Sequence, residues 1–189
     1  MPMDLPADLN TPRLHLRPLR SSDERLYGSL YTDPDVMRHV ALPLTPAAAQ
    51  RAFSTVLAQL AAAPPRARYW VLCRRDDGDD IGLMAWLPDC DDAGSAEVGA
   101  VLAGAATCRG HATEAIAALA GAVFSRPAQR RLWARHGREN GPAVGLMHKL
   151  GFAPLAEAGS APGLLCWQLE RQAWIDRRAA AFASVPANC

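Results

Sequence analysis

The sequence predicts a mixed α/β sandwich: a mostly antiparallel sheet of six or seven strands with helices on both faces. Three features of the chain carry that expectation. Arg68–Arg74, Ile81–Leu87 and the stretch from Ser95 are strand-like runs joined by short acidic turns, the pattern of an antiparallel meander. Ser95–Ser125 then reads as strand, small-residue loop and helix, and Arg130–Ala134 follows as a short strand, which implies a parallel crossover. Finally, stretches with an apolar helical stripe stand both before and after the meander.

Taken in order, Met1–Asn10 carries Pro and Asp and is expected to be an irregular arm, with residues 1–12 outside the domain. Arg13–Leu19 alternates, with Leu14 and Leu16 on one face, and reads as a strand. Ser21, Ser22, Asp23 and Glu24 have helix-start chemistry, and the helix should run to about Tyr31, where Asp33-Pro34-Asp35 breaks it. Thr45-Pro46 is a cap with Pro at the first helical position. The helix to about Ala62 carries Ala49, Phe53, Val56, Leu57 and Leu60 on one stripe and ends at Pro64-Pro65.

In the central strand, Ala96, Val98, Ala100 and Leu102 fall on one face, and Glu97 and Gly99 on the other. Ala112, Ala115, Ile116, Leu119, Ala122 and Val123 recur at helical spacing after it. Asn140 and Pro142 begin the last core helix, and Gly151 caps it. Phe152–Leu155 and Leu164–Leu169 read as a closing hairpin around a loop over 157–163, so the domain spans residues 13–170. The extension over 171–189 should be part helical and fray at Pro186.

Half of the residues are apolar, enough for one domain with a real core, and the net charge is +1. That balance predicts neither nucleic acid nor an anionic membrane surface as a partner. The start of the chain lacks the basic-then-apolar order of a signal peptide. The cysteines number five with no CxxC pair, which reads as reduced thiols in a cytoplasmic protein, not a disulfide frame or zinc site. The acidic turn Asp76–Asp80 lacks the extended loop and terminal Glu of a calcium site, so no metal is expected.

The strand-loop-helix over Ser95–Ser125 carries the chemistry. The turn aims the free backbone N–H groups of Cys108 to Thr113 at one point, and the helix dipole adds to them. Gly110 and the small Ala112 let an anion approach the main chain. A phosphate or pyrophosphate suits such a site, and an ordinary tight turn is the alternative. The chain has neither GxxxxGK[ST] nor a GxGxxG after a strand.

The stretch AEVGAVLAGAATCRGHATEA resembles the central motif of the GCN5-related N-acetyltransferases, the GNAT superfamily. There a strand leads to a pyrophosphate loop, Q/R-x-x-G-x-G/A, and a helix. Here the loop is Thr107-Cys108-Arg109-Gly110-His111-Ala112; Gly110 and Ala112 fit, and Thr107 departs. RENGPAVGLMHKLGF is similar to the later motif, through Asn140, Lys149, Leu150, Gly151 and Phe152. The opening TPRLHLRPLRSSD resembles the branch that acetylates N-terminal amines of ribosomal proteins.

The resemblance implies acetyl-coenzyme A as co-substrate, a primary amine as acceptor (a protein N-terminus or a small molecule) and direct attack of the amine on the thioester. The protein would act as a monomer or homodimer. Cofactor contacts would come from Val101, Leu102, Ala103, Cys108, Arg109, Gly110, His111, Ala112, Thr113 and Asn140. For Asn140 a helix cap is a second role that can hold at once. Glu97 is the candidate catalytic residue, as base or as anchor of the acceptor ammonium, against a plain solvated strand position. His111 is expected as an exposed loop side chain that contributes its backbone, and Glu114 as solvent-facing. His136 is expected either to assist the base or to lie on the surface. The family's Tyr before Leu-Gly-Phe is replaced by Met147, and the branch's Ser after the Asn by Ala143. Neither can protonate a leaving thiolate, so either water or another group does so. A catalytically weak or inactive acyl-coenzyme A-binding scaffold is the alternative function.

Overall fold

The computed structural model describes residues 5–38, 40–155 and 163–183. The loop expected over 157–163 and the end of the extension lie almost wholly outside the described residues. The sheet is built from β1 (Leu9–Asn10), β2 (Leu14–Pro18), β3 (Arg68–Arg74), β4 (Asp80–Pro88), β5 (Ser95–Leu102), β6 (Arg131–Gly137), β7 (Ala153–Pro154) and β8 (Leu164–Glu170). Their spatial order is β1-β2-β3-β4-β5-β6-β8-β7, and every neighbouring pair is antiparallel except β5 and β6. The parallel crossover and the meander are thus present as the sequence patterns require.

The strand count is eight, not six or seven. The extra strand is β1, in the stretch expected to be irregular. Leu9 pairs with Leu16 and Asn10 with His15. The hairpin is closed by Thr11, whose hydroxyl accepts from Leu14 N–H at 2.9 Å while its own N–H donates to Leu14 O at 2.9 Å. Leu5 and Leu9 bury in the core, so two isolated leucines, too few for a periodic signal, hold the arm down.

The helices are α1 (Glu24–Thr32), α2 (Pro34–Met37), α3 (Pro46–Ala61), α4 (His111–Phe124), α5 (Gly141–Leu150) and α6 (Arg171–Ala183). Asp33 ends α1 and caps α2, its carboxylate accepting from Asp35 N–H at 2.8 Å. Thr45 caps α3 through Ala48 N–H, and Asn140 caps α5 through Ala143 N–H at 3.1 Å. Gly151 ends α5 at φ +86°, a left-handed cap suited to glycine.

Alternation along the strands sorts the apolar side chains into two cores. Trp70, Leu72, Met84, Ala96, Val98 and Leu132 pack under α4, α5 and Trp174 of α6. On the opposite face Val71, Cys73 and Leu83 meet Tyr27 and Leu30 of α1 and Phe53 and Val56 of α3. Among the described residues no helix is long and apolar enough to cross a membrane, no group of potential metal ligands forms, and Cys73, Cys90, Cys108 and Cys166 are free thiols.

Candidate functional site

β5 and β6 pair only at Ser95–Arg131, Ala96–Leu132 and Glu97–Trp133. Beyond Glu97 the two strands part, because β4 holds β5 as far as Leu102 while β8 holds β6 as far as Gly137. The split leaves one edge of β5 from Val98 to Leu102 without a strand partner, and a cleft opens there. Its wider part, about 630 Å³, is lined by Val101, Leu102, Cys108, Gly110, Thr113 and Asn140, among others. Its inner part, about 340 Å³, reaches Glu97, Tyr31, Tyr69, Arg135, His136 and Met147. Ala100, Val101, Ala112, Asn140, Ala143 and Leu146 line both parts, so the two form one continuous space.

At the wide end the loop after β5 turns twice through left-handed backbone, Cys108 at φ +57° and Gly110 at φ +78°. Gly110 stands at the N-terminus of α4, and its carbonyl accepts from Glu114 N–H. The N–H groups of His111, Ala112 and Thr113 come before the first intrahelical bond and lie at the positive end of the helix dipole. A Cβ at Gly110 would sit 3.4 Å from Arg13 Nη2 as well as straining the backbone. Cys108, Gly110, His111, Ala112 and Thr113 all line the cleft, as do Val101, Leu102 and Asn140. The cradle therefore has the backbone donors, the dipole and the close approach that a diphosphate requires.

Two expected cofactor contacts stand elsewhere. Ala103 is outside this cleft: its N–H donates to Ile81 O at 2.9 Å and its carbonyl accepts from Ala106 N–H at 2.8 Å, so both backbone groups are taken. It lines a separate groove beside Asp80. The Arg109 side chain is exposed and not among the lining residues. Its carbonyl accepts from Arg13 Nη1 at 2.9 Å, which ties the loop to the turn between β1 and β2.

His111 and Glu114 are not the solvent-facing residues expected. His111 is 6% exposed, with its ring Nδ1 3.2 Å from Ala106 O, so it fills the space beneath the loop. Glu114, 16% exposed in its side chain, accepts from Thr11 Oγ1 at 2.5 Å, Arg13 N–H at 2.9 Å and Arg13 Nε at 2.6 Å. Burial alone would raise its carboxyl, but these donors outweigh burial together and hold it below the usual glutamate range. The start of α4 is thereby anchored to the turn between β1 and β2. Arg13 and Glu114 are 101 positions apart in sequence, and no local pattern announces the pairing.

At the inner end Glu97 lies on the face opposite Ala96 and Val98, as alternation requires. Its side chain is 19% exposed and accepts from Arg135 Nε at 3.0 Å. Burial pushes its carboxyl above the usual glutamate range; Arg135 draws it back in part, and Asp89 adds to the rise. A Cβ at neighbouring Gly99 would meet nothing within 4 Å, so room remains beside the carboxylate. Tyr31 and Tyr69 line the same space, and burial pushes both phenols up, keeping them neutral O–H donors. Arg135, Tyr31 and Tyr69 were legible only as ordinary strand or helix residues.

His136 is neither a free base nor on the surface. It is 8% exposed; Trp167 Nε1 donates to its Nε2 at 2.8 Å, and Nδ1 lies 2.8 Å from Gly137 O. An indole N–H only donates, so Nε2 accepts and Nδ1 carries the proton toward the carbonyl. Both ring nitrogens are occupied, and His136 is a structural post between β6 and β8.

The Acetyltransferase (GNAT) domain model matches residues 13–153. The chain belongs to the GNAT acetyltransferase family. No curated protein matches the sequence. Among solved structures, this GNAT domain is similar to an acetyltransferase from Agrobacterium tumefaciens, at 22% identity and TM-score 0.74 over 89% of this chain and 96% of that one. It is also similar to the aminoglycoside acetyltransferase AAC(6')-Ib in complex with coenzyme A, at 17% identity and TM-score 0.73 over 87% and 99%. A third is the spermidine N-acetyltransferase from Vibrio cholerae in complex with coenzyme A and spermine, at 18% identity and TM-score 0.71 over 87% and 99%. At these identities the likeness is one of fold: a mixed, mostly antiparallel sheet with flanking helices.

Proposed function

We propose that the protein is an N-acetyltransferase that moves the acetyl group of acetyl-coenzyme A to a primary amine by direct attack. The observation that carries this reading is the continuous cleft, with a backbone anion cradle at one end and a half-shielded carboxylate of raised pKa at the other. The two GNAT neighbours in complex with coenzyme A, one acting on an aminoglycoside and one on spermidine by their names, support it. The branch resemblance in the opening strand favours an acceptor of the α-amine kind, and a cytoplasmic setting suits the free thiols.

The N–H groups of His111, Ala112 and Thr113 hold the diphosphate, with Gly110 allowing the approach. The unpartnered edge of β5 supplies main-chain hydrogen bonds from Leu102 to the pantetheine arm; Val101, whose own backbone groups face β4, lines the arm's path, and Asn140 flanks it while capping α5. Acetyl-coenzyme A brings the activated thioester carbon. Glu97 takes a proton from the acceptor ammonium, directly or through one water, and frees the nitrogen lone pair. The C–N bond forms as the C–S bond breaks. A second proton leaves nitrogen, and the sulfur gains one. Met147 is 5% exposed and apolar, Ala143 has no donor and His136 is occupied, so the proton on sulfur comes from water or from the phenol O–H of Tyr31 or Tyr69, which line the same space.

A thiol-release assay with acetyl-coenzyme A and a panel of primary amines tests the reading. Turnover with at least one amine is the expected result. Tight coenzyme binding with no turnover on any amine would instead favour the scaffold function.

A further inference from the structure

The inner end of the cleft is lined by one carboxylate and one guanidinium, and they face each other: Arg135 Nε donates to Glu97 Oε1 at 3.0 Å. Tyr31, Tyr69, Leu83 and Leu87 line the space around the pair. We propose that the acceptor is a free α-amino acid with an apolar side chain, its ammonium set beside Glu97 and its carboxylate on Arg135. This rests on the acetyl-transfer reading above and narrows its acceptor.

The charge pattern decides among amines. At the inner end a polycation would meet a single lining carboxylate that is already compensated by Arg135, and Asp35 in the wider part is paired with Arg38. Asp89, whose oxygens accept from Trp133 Nε1 at 3.0 and 3.2 Å, is not among the residues that line this space. A simple monoamine that drew Glu97 away would leave Arg135 without its partner. A zwitterion replaces both halves of the pair at once, so neither charge is stranded. Arg135 is 52% exposed and Glu97 19%, so the guanidinium is free to swing to a ligand carboxylate while the ligand ammonium replaces it beside the more shielded Glu97.

Arginine geometry points the same way. The bond to Glu97 uses Nε, one of five N–H donors in a planar fork that matches a carboxylate. The guanidinium carbon lies 5.6 Å from the centre of the Trp133 ring, which steadies it at the cleft wall. The phenols and leucines then receive an apolar side chain. In the reaction the α-nitrogen forms the amide, sulfur leaves carbon, and the two protons lost by the ammonium end on sulfur and in solvent.

Calorimetry of leucine, leucinamide, phenylalanine, phenethylamine and spermidine, on the protein alone and loaded with coenzyme A, tests the proposal beside thiol release with acetyl-coenzyme A. The expected result is that the free amino acids bind and turn over about tenfold or more better than their amide or decarboxylated analogues, with spermidine poorest. Arg135→Ala should collapse that ratio toward one, and Arg135→Lys should keep part of it. Equal or better use of leucinamide, phenethylamine or spermidine overturns the proposal, as does an unchanged ratio in a folded Arg135→Ala protein. If coenzyme A fails to bind, or binds without turnover, the acetyl-transfer reading falls by itself, while the amino-acid titrations still decide whether the Glu97–Arg135 pair takes a free amino acid.

Discussion

Glu97→Gln isolates the charge of the inner carboxylate from its shape. The glutamine oxygen can still accept from Arg135 Nε, so the wall of the cleft is preserved. Burial is the leading reason that the Glu97 carboxyl is raised. A carboxyl raised on folding favours its protonated form, so its ionised form costs the fold stability. That cost is absent below the unfolded value of about 4.3 and is fully present above the folded value. The variant should therefore melt at or above the wild-type temperature at pH 7, with the difference vanishing in acid. Activity should move the other way. Losing a general base costs about 10²-fold or more in kcat/KM, about 2.7 kcal/mol of transition-state stabilisation. The wild-type acid limb should lie above the ordinary glutamate range, because the ionised form is the active one. The deficit of the variant should narrow toward high pH, where the amine is neutral without help. Coenzyme affinity should hold, since the cradle is at the other end of the cleft. Thiol release against pH, with melting curves as control, makes the measurement. Full activity of a folded variant at neutral pH would refute the reasoning and leave Glu97 a structural partner of Arg135.

Further outcomes follow from the loop and its supports. Gly110→Glu should abolish coenzyme binding by calorimetry, since it strains a φ of +78°, fills the approach and adds a negative charge beside the phosphates. Glu114→Gln should lose about 1–3 kcal/mol in denaturant melts at pH 7, because it weakens the bonds to Thr11 and Arg13. The Glu114 carboxyl is held low, so its stabilisation exists above the unfolded glutamate value and fades as pH falls through the folded one; the gap between variant and wild type should shrink steadily as the pH is lowered into that range. His136→Ala should leave turnover within about a few-fold yet lower stability by about 1–3 kcal/mol, because the buried Trp167 N–H loses its acceptor. A large loss of turnover with coenzyme binding intact would make His136 the missing acid.

The elements and their faces were legible in the chain because they rest on local periodicity. Alternation in Ser95–Leu102 put Glu97 opposite Ala96 and Val98 before any partner strand was known, and Gly110 ahead of an apolar helical stripe marked the anion cradle. The caps Thr45, Asn140 and Gly151 act within a few residues and so could be read directly. Tertiary structure alone decided what depends on distant partners. Burial of Leu5 and Leu9 turned an irregular arm into an eighth strand. Glu114 looked solvent-facing until the fold brought Thr11 and Arg13 to it, and His136 looked available until Trp167 took its Nε2. Arg135 became the partner of Glu97 only because the crossover sets β6 beside β5, and the cleft exists only because those strands pair for three residues and then diverge. A short-range signal fixes where a side chain points along its own element; which group it meets is set by contacts 31 to 103 residues away in these cases, whose energies no local pattern carries.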